Sequence, residues 1–470
     1  MKHIGTDPNA VTAYDDDKLQ ANIAMLGFKV AAANDLAKYN LQDQIIDEYE
    51  DATGIDAGNS TNERLTSGVY DGTTVSYSTP TRTVTNAETP IVDGDYTVYK
   101  WHSTGSYVTD TTQEHEYLIV GGGGSGGEGN GGGGGAGGVL AATGLSLTGG
   151  NTYTTTVGAG GAGRAGNNAI GNVGGDSILS GTGISTLTGG GGGYGGYGDN
   201  SGGAGRATNG NGGGAGYDGT GGAGNGAGFA GGTQEGGSSG SPSHGPGGGG
   251  GAAEVGEDGT DDKAGDGGDG VANDIIETGT NVYYAGGGGA AASNDQGPCG
   301  DGGNGGGGDG DYDGGASATK DGDANTGGGG GGAAHDSTNT SGAGGSGIVI
   351  LRVLTQISTT TSGGDLTLQS TANTASSAAT KADLIMLMEN AEGTATINTD
   401  IKGYVTADGG SNWTEGTLVD EGSWGTNKKI YAFHDATVTS GTDMRYKITT
   451  HNQSGSKITK IHATSIGWKA

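Results

Sequence analysis

Sulfur, positive charge and apolar side chains are all scarce in this chain. Cys299, in GPCGDGG, is its one cysteine, which excludes a disulfide framework and a cysteine metal cluster. Lys and Arg number 21 against 52 Asp and Glu, for a net charge of −31. Nucleic acid and anionic membranes both need a basic footprint, so neither is an expected partner. No apolar run approaches the roughly 18–20 residues of a membrane span, and the opening MKHIGTDPNAVTAYDDDK lacks the apolar centre of a signal peptide. With 30 % hydrophobic and 6 % aromatic residues in 470, one large core is out of reach, and a modular chain of about three domains is expected.

Catalytic signatures are missing too. A strand followed by GxGxxG occurs at Val120 to Gly126, but no helix-forming residues follow to offer an N-terminus to a pyrophosphate. There is no Gly-Lys-Ser/Thr phosphate loop, the eight histidines have no metal-ligand spacing, and no paired carboxylates of a glycan-cleaving site stand out. An enzyme is not expected.

What the chain has is glycine. Of 113 glycines, 93 fall between Gly121 and Gly347, where no ordinary core can form because glycine brings no apolar side chain and loses the most backbone entropy on folding. The tract is bracketed by Leu118-Ile119-Val120 and Ile348-Val349-Ile350-Leu351, branched segments that read as strands able to pair and close it. It is either a flexible linker or a packed array of extended glycine helices of the polyproline II type, with three residues per turn and room only for glycine at close contacts. The interspersed Tyr153, Tyr194, Tyr197, Tyr217, Phe229, Tyr283, Tyr284 and Tyr312, and strand-like pieces at Tyr153 to Val157 and Asp176 to Ser180, favour the array.

The order of blocks carries a resemblance. YLIVGGGGSGG at Tyr117 to Gly127, GGGGGAGGVL at Gly131 to Leu140, YTTTVGAGGAG at Tyr153 to Gly163, GGDS at Gly174 to Ser177 and the closing GGSGIVILRV at Gly344 to Val353 resemble the glycine-rich domain of bacteriophage tail fibres and adhesins. The approach segment TVYKWHSTGSYVTD, Thr97 to Asp110, is similar to the strand pair that leads into that domain. The resemblance covers about half the chain and implies a structural, receptor-facing module of a virion, with nothing catalytic in it. LAKYNLQDQIIDEYEDATGID near the N-terminus also resembles structural proteins of marine phages.

The flanks read differently. Asp15, Asp16 and Asp17 are suitable cap residues for a helix with Leu19, Ile23, Leu26 and Val30 on one face. A second helix is expected from Asn40 through Leu41, Ile45, Ile46 and Tyr49 to about Gly54. Two such helices cannot bury their apolar faces alone, so they read as a trimerisation or virion-docking element, or else as packing on neighbouring strands. Beyond Val353 a Ser/Thr-rich run reads as a linker. It is followed by period-two alternation at Ala395 to Val405, Lys429 to Phe433 and Met444 to Ile448, with turns at Asp408-Gly409-Gly410, Glu421-Gly422-Ser423, Ser440-Gly441-Thr442 and Asn452 to Ser456. That pattern predicts an antiparallel sandwich, and its last residues resemble terminal sandwich domains of phage fibres.

Two further motifs bear on chemistry, one in the C-terminal region and one in the glycine tract. Thr406, Asp408, Gly410 and Trp413 match the Asp-box S/T-x-D-x-G-x-x-W, best known from sialidases. A single copy with Arg445 as the domain's only arginine reads as a structural turn. Asp309, Asp311, Asp313 and Gly314 give D-x-D-x-D-G, the opening of a calcium loop, but Lys320 stands where its closing acid belongs. Calcium is the one cofactor these residues point to. The competing reading is an acidic surface that keeps a glycine array soluble.

The fold expected is therefore mainly β and irregular: short N-terminal helices, a polyglycine-II-like domain framed by strands, and a C-terminal antiparallel β-sandwich. The expected segments are 1–56 for attachment or oligomerisation, 57–115 a small β region or stalk, 116–353 glycine-rich, 354–380 linker and 381–470 sandwich. The expected function is that of a virion fibre or spike subunit, a homotrimer joined to other virion proteins through its N-terminal helices and displayed on the particle. It would read a host-surface glycan or protein through Tyr194, Tyr197, Tyr217, Phe229 and Trp424. A capsid decoration or connector without receptor binding is the alternative.

Overall fold

The computed structural model describes residues 43–47, 49–166, 168–206, 208–234, 245–292, 298–312, 320–335, 340–424 and 426–470. Among these no residue is helical, which corrects the expected fold class. Ile45 and Ile46 lie not on a helix but on the strand Asp43–Asp47, paired antiparallel with the last strand, Ile458–Lys469, in the register Ile45 to Ile466. The partner is more than 400 residues away, and a strand that gains its hydrogen bonds there overrides a local helical pattern. The first expected helix, with Leu19, Ile23, Leu26 and Val30, lies outside the described residues.

The chain forms two compact units. The terminal unit combines residues 43–77 with Ser358–Ala470. Its core gathers Tyr49, Tyr70, Leu384, Met386, Phe433, Tyr446 and Trp468 inside one 11-stranded sheet. The expected sandwich is corrected here as well. The strands Asn373–Glu392 and Lys428–Thr450 are so long that one sheet wraps its own core and nearly closes, in the manner of a barrel. Register shifts in their pairing, between Thr374 and Leu384, supply the bends. Ser440-Gly441-Thr442 does not end a strand but lies within Lys428–Thr450, and the Ser/Thr-rich stretch after Val353 contributes strands Ile357–Ser362 and Thr367–Gln369.

The glycine-rich unit, Ser78–Ile357, is founded on a nine-stranded sheet. Its central strand, Ile348–Leu354, pairs with Gln113–Val120 on one side (Ile348 to Val120) and with Tyr96–Thr109 on the other (Val349 to Trp101). Alternate residues bury opposite faces. Tyr117, Ile119, Val349 and Leu351 join Tyr99, Trp101, Tyr107 and Tyr153, while Leu118, Val120, Ile348 and Ile350 meet Ala136, Tyr284 and Ala285.

From this sheet the glycine runs project and return. Run 121–128 shows the packing rule. Gly121, Gly124 and Gly127 donate their amides to Gly138, Gly135 and Gly132; Gly122, Ser125 and Glu128 to Gly175, Asn172 and Ala169; Gly123 and Gly126 to Gly345 and Gly342. The donor direction thus repeats every third residue, the period of an extended three-residue helix, and each of these three accepting runs is antiparallel. Carbonyls of the same run accept from runs 192–195, 330–333 and from Gly161, so six runs surround it. The interior of this array is backbone. A Cβ on Gly121, Gly124 or Gly127 would stand 1.9–2.2 Å from the carbonyl oxygen of Gly190, Gly193 or Gly196, so only glycine fits.

At the edge of the array a further run is missing, and side chains replace its carbonyls. Asp176, Asp258, Asp266, Asp269, Asp309 and Asp321 accept the amides of Gly191, Thr233, Asp301, Asn304, Gly302 and Ala343 at 2.7–2.9 Å. An amide left without an acceptor costs about as much as a lost hydrogen bond. These six aspartates therefore serve as backbone acceptors in addition to carrying charge.

Candidate functional site

Because runs alternate in direction, their turns gather at two ends. Turns at 208–209, 226–228, 252–254 and 324–327 lie toward the sheet, and those at 129–131, 197–200, 217–219 and 260–263 lie at the far end. The far end holds the arrangement most able to contact another molecule. Its first turn is closed on Tyr197, whose carbonyl accepts the Asn200 amide at 2.8 Å and the Asn200 side-chain amide at 3.0 Å, with Gly198 at φ 49°. The next run brings a second turn beside it. Asp218 donates its amide to Gly198 at 3.3 Å, Gly216 donates to Asn200 at 3.0 Å, and the Tyr217 ring lies 3.5 Å from where a Cβ on Gly198 would stand.

Tyr197 and Tyr217 are half-buried, while Asp199, Asn200, Ser201, Asp218 and Thr220 around them are exposed. Tyr217 is hydrogen-bonded to Asp199, and its phenol is pushed above its ordinary range by partial burial first and by the Asp199 and Asp218 carboxylates next. It stays neutral and keeps a hydroxyl hydrogen to donate. Ser201 and Thr220 tie the two turns through a 2.9 Å hydroxyl contact. The result is two tyrosines on adjoining turns, rimmed by acceptors.

The structure brings only some of the sequence-derived candidates together. Tyr194 precedes Tyr197 by one three-residue turn and so shares its face of the run. Its ring lies against the Cα of Gly203 and fills the array edge. Phe229 is at the opposite end, beside the 226–228 turn, its amide held by Asn211 Oδ1 at 2.7 Å. Trp424 belongs to the other unit, where it is partly buried against Ile385, Leu387, Ile430, Ala432 and Ala463.

In the calcium candidate, Asp309 accepts the Gly302 amide at 2.9 Å, whereas the fully buried Asp311 accepts the Tyr312 amide at 2.9 Å and has Lys320 Nζ at 3.7 Å. The two carboxylates therefore serve different neighbours, and Asp313 and Gly314 lie outside the described residues. The Asp-box forms a tight turn: Asp408 accepts from the Thr406 hydroxyl at 2.7 Å and from the Asn412 amide and side chain at 2.9 and 2.7 Å. These donors hold the Asp408 carboxyl down at about 2. Trp413 packs under Gly410, with Lys447 Nζ 4.4 Å from its ring centre.

Sequence reasoning missed Asp199, Asn200 and Asp218. Their signal was the Tyr-Gly-Gly-Tyr spacing at Tyr194 to Tyr197, which puts two rings on one face of a three-residue helix and aims the next residues into its turn. Residues 102–354 match a family model described as a glycine-rich domain. No curated protein matches the chain.

Proposed function

Since the chain belongs to the glycine-rich domain family, we propose that it is an attachment subunit of a virion fibre or spike that presents the far end of its glycine array to a host-surface glycan. The carrying observation is the placement of Tyr197 and Tyr217 on adjoining turns, with Asp199, Asn200 and Asp218 at their rim. Aromatic faces stack on the apolar faces of sugar rings, and acceptor side chains order hydroxyls. Rings on a backbone lattice lose little conformational freedom on binding. Two carboxylates at the rim disfavour anionic sugars, so the reading is a neutral glycan. The resemblance of the glycine blocks to phage tail-fibre domains supports placing the subunit on a particle, where trimerisation would multiply weak contacts.

The test is binding of purified full-length chain to candidate host cells and to an array of neutral and acidic glycans, with the oligomeric state read by light scattering. The Tyr197→Ala, Tyr217→Ala double variant should lose binding at least tenfold with its unfolding temperature unchanged. Equal binding by the variant, or incorporation into capsids with no cell or glycan binding, would refute the attachment reading.

A further inference from the structure

The turn next to the Tyr197 turn holds a group that the packing leaves unexplained. Glu128 ends the central run and is fully buried, yet among the described residues neither carboxylate oxygen has a donor in good hydrogen-bond geometry, the Gly166 amide being the one backbone donor turned toward it. Two positions on, the side-chain oxygen of Asn130 is also buried and without a hydrogen-bond partner among the described residues. Between them Gly129, at φ 81°, is packed so closely that its Cβ would stand 2.6 Å from a fourth oxygen, Asn168 Oδ1. Among the described residues the Gly166 amide and the His335 ring favour the charged carboxylate, and burial outweighs them.

A buried carboxylate without a counter-charge is strongly unfavourable, and so are buried acceptors without donors. The two Glu128 carboxylate oxygens and the Asn130 side-chain oxygen come from one turn, with the Asn168 side-chain oxygen against it, and poorly satisfied buried oxygens of this kind are the donor set a hard cation takes. Calcium suits them best, because it accepts oxygen ligands only, tolerates irregular geometry and takes glutamate in bidentate fashion, whereas magnesium demands near-octahedral order.

We propose that the Glu128–Asn130 turn binds a calcium ion through both Glu128 carboxylate oxygens and the Asn130 side-chain oxygen. The ion would neutralise the buried charge and pin the far end of the central run. Run 121–128 touches six others, and Gly132, just beyond the turn, bonds Gly196 beside Tyr197, so the ion would also stiffen the neighbouring tip. The site does not depend on the attachment reading.

The experiment uses the full chain stripped with a chelator and titrated with calcium chloride, read by the unfolding temperature of the glycine-rich unit and by calorimetry. The expected result is saturable stabilisation of several degrees with one ion per chain. The shift should disappear in Glu128→Gln and need at least tenfold more calcium in Asn130→Gly, which keeps the left-handed backbone and removes the oxygen. It should survive in Asp309→Asn. Magnesium should act at least tenfold more weakly. No stabilisation of the parent chain, or stabilisation undiminished in Asn130→Gly, overturns the proposal. Asn130→Gly decides the matter should Glu128→Gln fail to fold.

Discussion

Replacing Gly124 by alanine tests whether the array is held by backbone contact alone. The new methyl carbon would stand 2.0 Å from the Gly193 carbonyl oxygen, where a carbon–oxygen contact needs about 3.3 Å. The two runs must part by about 1.3 Å. They are not free to do so: Gly124 donates to Gly135 at 2.8 Å and accepts from Gly330 at 2.9 Å, while Gly193 donates to Asn211 at 2.8 Å and accepts from Gly135 at 2.8 Å. A shift of that size takes such bonds beyond hydrogen-bonding reach.

Losing two of the four, at about 1–3 kcal/mol for each bond lost, and recovering about 0.5–1 kcal/mol from the stiffer unfolded chain, gives a net loss of about 1–5.5 kcal/mol. For a unit of this size each kcal/mol lowers the midpoint by about 2–4 °C. Scanning calorimetry of the full chain would follow the transition of the glycine-rich unit, with Trp101 fluorescence assigning it. Gly144→Ala is the control, with φ 76° and open space around its Cβ position. It carries only the backbone cost of about 1–2 kcal/mol. Should Gly124→Ala destabilise no more than Gly144→Ala, the idea of a backbone lattice that excludes every side chain is wrong.

Further outcomes follow from the same contacts. Asp269 receives both the amide and the side-chain nitrogen of Asn304. Asp269→Ala should therefore cost about 1–3 kcal/mol in urea unfolding, and Asp269→Asn, which keeps an acceptor, clearly less. His115 is buried with Nδ1 bonded to the Gln113 carbonyl and Nε2 to the Tyr107 hydroxyl, and burial pushes its pKa down to about 4. The unfolded chain takes up that proton near pH 6.5, so stability of the glycine-rich unit falls as pH drops from about 6.5 to 4, by about 3 kcal/mol. His115→Asn should flatten the slope. In the terminal unit, hydrogen bonds hold Asp400 and Asp408 at about 2. Their contribution is present above pH 4 and is lost as pH falls toward 2, so acid titration should unfold the two units in separate windows.

How much of this was legible depended on how far each residue's partner lies along the chain. The bracketing strands could be read because Leu118 to Val120 and Ile348 to Leu351 are branched and apolar, and each needs an apolar mate. Ile45 and Ile46 could not, because their spacing fits a helix and their true partners, Ile466 and Ser465, carry no local sign. The closing sheet was hidden because Ser440-Gly441-Thr442 looks like a turn, yet the strand passes through it. At the candidate site, composition marked Tyr194, Tyr197, Tyr217 and Phe229 alike. Which rings meet is decided by which run lies beside which, and glycine runs are too uniform to say. In the sequence the edge carboxylates look like a solubilising surface, because their role as acceptors appears only when an amide is seen facing a missing neighbour.

An interior made of peptide groups has a thermal character of its own. Heat capacity rises on unfolding mainly because apolar surface becomes wet, and wetting polar surface lowers it. Runs such as 121–128 and 131–138 bury carbonyls and amides with almost no hydrocarbon. Their melting should therefore carry an unusually small heat-capacity change and an enthalpy that hardly varies with temperature. The stability curve of the lattice flattens accordingly, and it keeps its strength in the cold, where proteins that depend on oily cores lose theirs.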